Sequence, residues 1–195
     1  RAGDMRGGCV LVQAGSVMTV NNVTFANNAA SNGGAIALGT TSQLQAVAVA
    51  VTGNSALFGG GAVHGELTGA LSLQRAAFTG NTAQQAHGGA LFLAQAPTVA
   101  NASVSFSGNR APLGGGGAVF WSALRPELPA SSASLQRLNS AAYGNYTASP
   151  PTTLAYQLTG TGTAAFAAPQ EAQAVLSPPV VLELRDAYDQ TVVTD

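Results

Sequence analysis

The amino-acid sequence predicts an all-β chain: a right-handed parallel β-helix of about five coils, followed by the start of a β-sandwich or strand-pair unit. Three observations carry this expectation. The first is a motif written four times. Phe25-x-x-Asn28-x-Ala30 precedes Gly33-Gly34-Ala35-Ile36, and Val51-x-x-Asn54-x-Ala56 precedes Gly60-Gly61-Ala62-Val63. Phe78-x-x-Asn81-x-Ala83 precedes Gly88-Gly89-Ala90-Leu91, and Phe106-x-x-Asn109-x-Ala111 precedes Gly116-Gly117-Ala118-Val119. The asparagines are 26, 27 and 28 residues apart, and Gly7-Gly8-Cys9-Val10 reads as the tail of an earlier copy. A fixed period in this range marks stacked repeats. The second observation is that each unit holds three short β-like runs separated by Gly, Asn and Ser, with no helical period in competition. The third is that aligning the units superposes their apolar residues into columns.

Taken in order, the first coil offers Val10-Leu11-Val12, Val17 to Val20 and Val23-Thr24-Phe25. The second offers Ile36-Ala37-Leu38, Leu44 to Val47 and Val49-Ala50-Val51; the third offers Val63-His64, Leu71-Ser72-Leu73 and Ala76-Ala77-Phe78. The fourth offers Leu91-Phe92-Leu93, Val99 and Val104-Ser105-Phe106. The predicted inward columns are Val10-Ile36-Val63-Leu91-Val119, Phe25-Val51-Phe78-Phe106 and Met18-Leu44-Leu71-Val99. Each fully buried member should stabilise by about 1.5–3 kcal/mol. Parallel crossovers favour the right hand, hence the predicted handedness.

The asparagine column (Asn28, Asn54, Asn81, Asn109 and, in a fifth coil, Asn139) has a structural cause. Asn tolerates the left-handed backbone of a tight corner, and its amide can bond to the Asn one coil on. The paired glycines permit a sharp turn or a backbone approach that a Cβ would block. Coil five is degenerate: Val119-Phe120-Trp121 opens it, Arg125 to Pro129 bulges out, and Leu135 or Leu138 stands in for the missing Phe. Pro150-Pro151 ends the stack, so residues 1–151 read as the repeats with a cap coil. Residues 152–195 read as a C-terminal β segment, with strands at Leu154 to Leu158 and Val180 to Leu184 and a polar turn between Arg185 and Gln190. Both ends read as cut, as in a fragment of a longer chain.

Composition narrows the function. The chain has 195 residues with seven Arg, no Lys, eight acids and a net charge of −1. No basic field exists to hold nucleic acid or an anionic membrane. No apolar run is long enough to span a bilayer, so no direct membrane insertion is expected of this segment. Cys9 is alone, which leaves the fold to packing and backbone ladders.

Phe-x-x-Asn paired with Gly-Gly-Ala-(Ile/Leu/Val) resembles the polymorphic membrane protein (Pmp) repeats of chlamydial autotransporters and of Pmp-like extracellular proteins of algae and protists. The resemblance covers about residues 7 to 144. Val51 replaces Phe in the second repeat, and the fifth repeat departs further. The resemblance implies a surface-exposed or secreted adhesive or structural protein and carries over no catalytic residues; no metal or cofactor is expected of this segment.

Right-handed β-helices also serve as polysaccharide enzymes, so an enzyme is the rival class. Glycoside hydrolysis needs two carboxyl groups, and between residues 7 and 120 the one carboxylate is Glu66. His64 and His87 are 23 residues apart at different points of the coil, without a Cys or acid beside them, and read as turn and surface residues. Cys9 aligns with Ala35, Ala62, Ala90 and Ala118 as a small core filler. The reading is therefore a non-enzymatic extracellular module of a larger cell-surface or filament protein. Its alternatives are a carbohydrate-active enzyme with its active coils elsewhere and a bacterial autotransporter passenger. The expected partners are other protein domains or subunits of a surface assembly, and glycans. Three sequons, at Asn22, Asn101 and Asn145, are candidate N-glycosylation sites. Strand parity turns Ala37, His64, Phe92 and Phe120 outward, and Phe92, Phe120 and the adjacent Trp121 form the candidate contact surface, to be met either by a partner or by the C-terminal segment folding back.

Overall fold

The computed structural model describes residues 6–65, 70–94, 98–123, 138–158 and 180–193, with backbone alone at 70, 98–102, 156–158 and 180. Four parallel sheets run along a solenoid of about four turns, and an antiparallel strand pair follows them. The first sheet stacks six strands, five of which begin just after a glycine pair, Val10–Val12, Ile36–Leu38, Val63–Gly65, Leu91–Leu93 and Val119–Trp121, with Thr147–Ala148 as the sixth. The second holds Val17–Asn21, Gln43–Val47, Ala70–Gln74 and Thr98–Ala102, and the third Thr24–Ala26, Ala50–Thr52, Ala77–Thr79 and Ser105–Ser107.

The register reproduces the columns. Val10 pairs with Ile36, Ile36 with Val63, Val63 with Leu91 and Leu91 with Val119. Phe25, Val51, Phe78 and Phe106 pair in succession, and the Phe78 and Phe106 rings stack at 5.1 Å. Met18, Leu44, Leu71 and Val99 form the third column. All of these except Val99, whose side chain lies outside the described residues, belong to one apolar core or pack against it.

Three strands per coil was one too few. A fourth sheet follows the asparagines directly, through Ala29–Ala30, Ser55–Ala56, Thr82–Ala83, Arg110–Gly115 and Ser140–Tyr143. Its first three strands are two residues long and carry no large apolar side chain, so they leave little mark on a hydropathy pattern.

The corners also divide their labour differently from expectation. The left-handed residue is not the ladder asparagine but the one before it: Asn27, Gly53, Gly80 and Gly108, at φ of 56, 62, 63 and 66°. A second column of positive φ runs through Asn22, Ala48, Arg75 and Ser103 at 55, 54, 50 and 57°. In each glycine pair the two members do different work. Gly88 has φ of +73°, whereas a Cβ on Gly89 would land on the carbonyl oxygen of Gly117 one coil above.

The ends explain the remaining differences. Cys9 keeps the register of the alanine column but is exposed, because no described coil covers it. Leu138 is 58% exposed and does not fill the phenylalanine column; Leu135 lies outside the described residues. Tyr146 closes that column instead, its ring edge-on to Phe106 at 5.9 Å. The strand after the stack begins at Pro151 rather than Leu154, and Pro151–Leu158 pairs antiparallel with Val180–Asp186. Proline is compatible with a strand's first position, where no ladder donor is required.

Candidate functional site

The asparagine ladder is a continuous chain of amide bonds. Asn28 Nδ2 donates to Asn54 Oδ1, Asn54 Nδ2 to Asn81 Oδ1, Asn81 Nδ2 to Asn109 Oδ1 and Asn109 Nδ2 to Asn139 Oδ1, each at 2.9 Å. Each backbone N–H from Asn28 to Asn109 donates to the same Oδ1. The second Nδ2 proton goes back to a carbonyl of the phenylalanine column, as from Asn81 to Val51 and from Asn109 to Phe78. These amides are engaged with one another and hold the coils in register. They have no free valence to offer a ligand, apart from the Asn28 end.

The outer face of the first sheet is where chemistry collects. In register, Ala37 pairs with His64, His64 with Phe92, Phe92 with Phe120 and Phe120 with Ala148. His64 stacks on Phe92 at 4.8 Å and Phe92 on Phe120 at 5.5 Å. His87 comes from the loop before the fourth glycine pair and stacks on Phe120 at 4.1 Å, with Tyr143 edge-on to it at 6.2 Å. The two histidines are therefore parts of one aromatic column, not isolated surface residues. Gly115 N–H donates to His87 Nδ1 at 2.8 Å, which fixes the proton on Nε2 in the neutral ring. Burial lowers the His87 pKa below its usual value. Tyr143 donates its hydroxyl to the Ser149 carbonyl, and burial, helped by the nearby Asp186 carboxylate, pushes its pKa up to about 12.

Around this column lies a cleft of about 430 Å³ lined by His87, Phe92, Leu113, Phe120, Tyr143, Pro150, Pro151, Val192 and Val193. Its C-terminal wall is held by Asp186. That buried carboxylate accepts from Ser149 N–H at 3.2 Å, Tyr188 N–H at 2.9 Å and Gln190 N–H at 3.0 Å, tying the last turn to the end of the solenoid.

The predicted contact surface needs correction. Phe120 is 3% exposed, covered by the His87 ring and packed in a small cluster with Tyr143, Ala148 and Val192. Trp121 is 7% exposed and faces the core, because consecutive strand residues point to opposite faces. Its Nε1 donates to Tyr188 Oη at 2.9 Å, so the C-terminal turn folds back over this end. Phe92 remains partly open, at the cleft. Among the sequons, Asn22 and Thr24 are exposed. Asn145 is exposed and its Oδ1 accepts from Ala141 N–H. Asn101 lies in the strand Thr98–Ala102, and its side chain lies outside the described residues.

Sequence reasoning missed His87, Leu113, Gly115 and Tyr143 as site residues, although a signal was present. From ladder asparagine to glycine pair the spacing runs Asn28 to Gly33, Asn54 to Gly60, Asn81 to Gly88 and Asn109 to Gly116, that is five, six, seven and seven positions. The added residues form the loop that lays His87 over the sheet. In the next coil they form an irregularity between Ala111 and Gly115 that carries Leu113.

Among the described residues no group of three or more His, Cys, Asp or Glu could hold a metal ion. Glu66 lies outside them. Glu183 and Asp189 pair with Arg185 at 3.0 and 2.8 Å.

Fold and site thus define a β-solenoid of asparagine-laddered repeats with an apolar cleft on its outer face. The family model of the Chlamydia polymorphic membrane protein (Chlamydia_PMP) repeat matches residues 22–39 and 103–120, and the parallel solenoid matches a Pmp-type β-helix repeat. Neither the curated proteins nor the solved structures contain a match.

Proposed function

We propose that the chain is a non-enzymatic module of a larger cell-surface or filament protein, structural or adhesive, with the aromatic cleft as its contact site. The observation that carries the reading is the cleft itself, an open apolar concavity on a rigid wall of Pmp-type repeats. Leu154, Leu182 and Leu184 on the strand pair are exposed, which supports docking of residues 152–195 to other domains or subunits of a surface assembly. An extracellular location agrees with three sequons, of which Asn22 and Asn145 are reachable. The Chlamydia family match favours an autotransporter passenger as the second reading.

The test is binding of the purified chain, immobilised on beads, to intact cells of its source, against a Leu113→Glu variant. Leu113 is 54% exposed at the cleft, so the charge should leave the fold intact. Retention that the variant loses at least tenfold is expected. Equal retention of both would remove the cleft from the function, and localisation of the native protein to the cytosol would remove the surface role.

A further inference from the structure

We infer that the cleft takes an uncharged peptide segment of a partner protein, one large apolar or aromatic side chain entering beside Phe92, Leu113 and Val193 while a neighbouring backbone carbonyl accepts from His87 Nε2–H. The inference rests on the cleft being the contact site and names what that site selects.

The walls exclude charge. Two of the nine lining residues are ionisable, His87 and Tyr143, and both are held neutral near pH 7. Among the described residues that line the cleft, an anion would find no cation and a cation no carboxylate. Among polar contacts the lining side chains supply one free donor, His87 Nε2–H, since Nδ1 is taken by Gly115. Tyr143 has spent its proton on Ser149 and keeps only acceptor capacity. A sugar needs partners for several hydroxyls, and those left unpaired count against binding.

The aromatic geometry points the same way. Sugars are commonly gripped by stacking on an open ring face. Here Phe92 is stacked by His64 and by Phe120, while Phe120 is stacked by Phe92 and by His87. The faces are occupied, and the cleft offers ring edges, prolines and aliphatic carbons, a lining suited to an apolar side chain. About 430 Å³ holds one such side chain with its flanking peptide. A polypeptide is favoured over a free small molecule because the apolar surface continues beyond the cleft. Pro151 lines the cleft and opens the strand pair, whose Leu154 and Leu184 are cross-strand partners and exposed, and Val192 N–H is bonded to the Leu184 carbonyl.

The test is a titration of the full, isotope-labelled chain, followed by amide NMR at pH 7.5. N-acetyl-tryptophanamide should shift the Leu113, Val192 and Val193 signals saturably, and Leu113→Glu should weaken that binding at least tenfold with the remaining spectrum unchanged. 3-Methylindole, which has the ring but no carbonyl, should bind at least threefold more weakly; equal binding overturns the role given to His87. Methyl β-glucopyranoside should shift nothing. If the sugar binds in place of the peptide mimic, the ligand class is wrong while the contact site stands. If neither probe shifts these signals the inference falls, while cell retention that Leu113→Glu loses decides separately whether the contact site stands.

Discussion

Replacing Asn81 by Ala tests the ladder at its centre, and Asn28→Ala tests it at its end. Asn81 is fully buried. Its Oδ1 is the acceptor for both the backbone N–H and Nδ2 of Asn54, at 3.0 and 2.9 Å, and its Nδ2 serves the Val51 carbonyl and Asn109 Oδ1. Truncation leaves the buried Asn54 N–H without that acceptor and takes one partner each from Asn54 Nδ2, Val51 O and Asn109 Oδ1. An orphaned buried donor costs about 1–3 kcal/mol and the lost bonds add about 1 more, so about 2–4 kcal/mol is expected. Asn28 differs in one respect. Its side chain donates only to Asn54 Oδ1, which keeps the Asn28 backbone N–H when the side chain is removed. Asn28→Ala should therefore cost about 0.5–1.5 kcal/mol. Urea titrations of both variants measure the difference, and amide hydrogen exchange localises it, with protection at Asn54 falling selectively in Asn81→Ala. Equal losses at the two sites, or unchanged exchange at Asn54, would refute the claim that orphaned donors rather than corner geometry set the cost.

Phe78→Ala should cost about 3–5 kcal/mol in the same titration, because coils above and below prevent the site from collapsing, and a loss under about 1 kcal/mol would contradict the column. Gly89→Ala should prevent folding, since its Cβ would meet the Gly117 carbonyl; Gly80→Ala meets nothing within 4 Å and should cost about 1–2 kcal/mol through its positive φ, as circular-dichroism melts would show. His87 is held neutral by burial, so its lowered folded pKa contributes stability that is full above the unfolded value of about 6.5 and is lost as pH falls below it. Urea midpoints between pH 7.5 and 5.5 should decline accordingly, and His87→Gln should flatten the slope. Peptide mapping of protein purified from a eukaryotic secretory source should find glycans at Asn22 and Asn145, and bare asparagines there would count against the extracellular reading.

The stack was legible because its cause is periodic. A column residue such as Leu44 or Leu71 must be apolar in every coil, and the Gly-Gly pair must recur because backbone packs on backbone there. What stayed hidden was aperiodic or small. The fourth sheet begins with Ala29–Ala30, whose side chains barely differ from those of a turn. The left-handed residue is Gly80 and not Asn81; the corner motif contains both candidates, and only backbone geometry separates them. Trp121 neighbours Phe120 in sequence but faces the core, because one step along a strand reverses the side chain. Tyr146 occupies the alanine register of the last coil yet caps the phenylalanine column, a substitution of roles that no alignment of motifs reveals.

The cleft sits where the period drifts, and this has a physical reason. A coil that repeats without change stacks flush, and each outward side chain covers the one below it, as His64 and Phe92 do. A concavity requires a step in that wall. The residues gained between Asn81 and Gly88 let a loop leave the stack and return with His87, and those between Asn109 and Gly116 place Leu113 beyond it. The next interval, Asn139 to Gly144, shortens to five again, and the small Ala148 follows Phe120 in the column. The wall steps out over two coils and back in the third, and the C-terminal Val192 and Val193 close the recess from the far side. Scaffold and site are then separable in this chain. Substitutions in the asparagine ladder should change stability without altering what the cleft selects, while changes in loop length before the glycine pairs should alter selection at little cost to the stack.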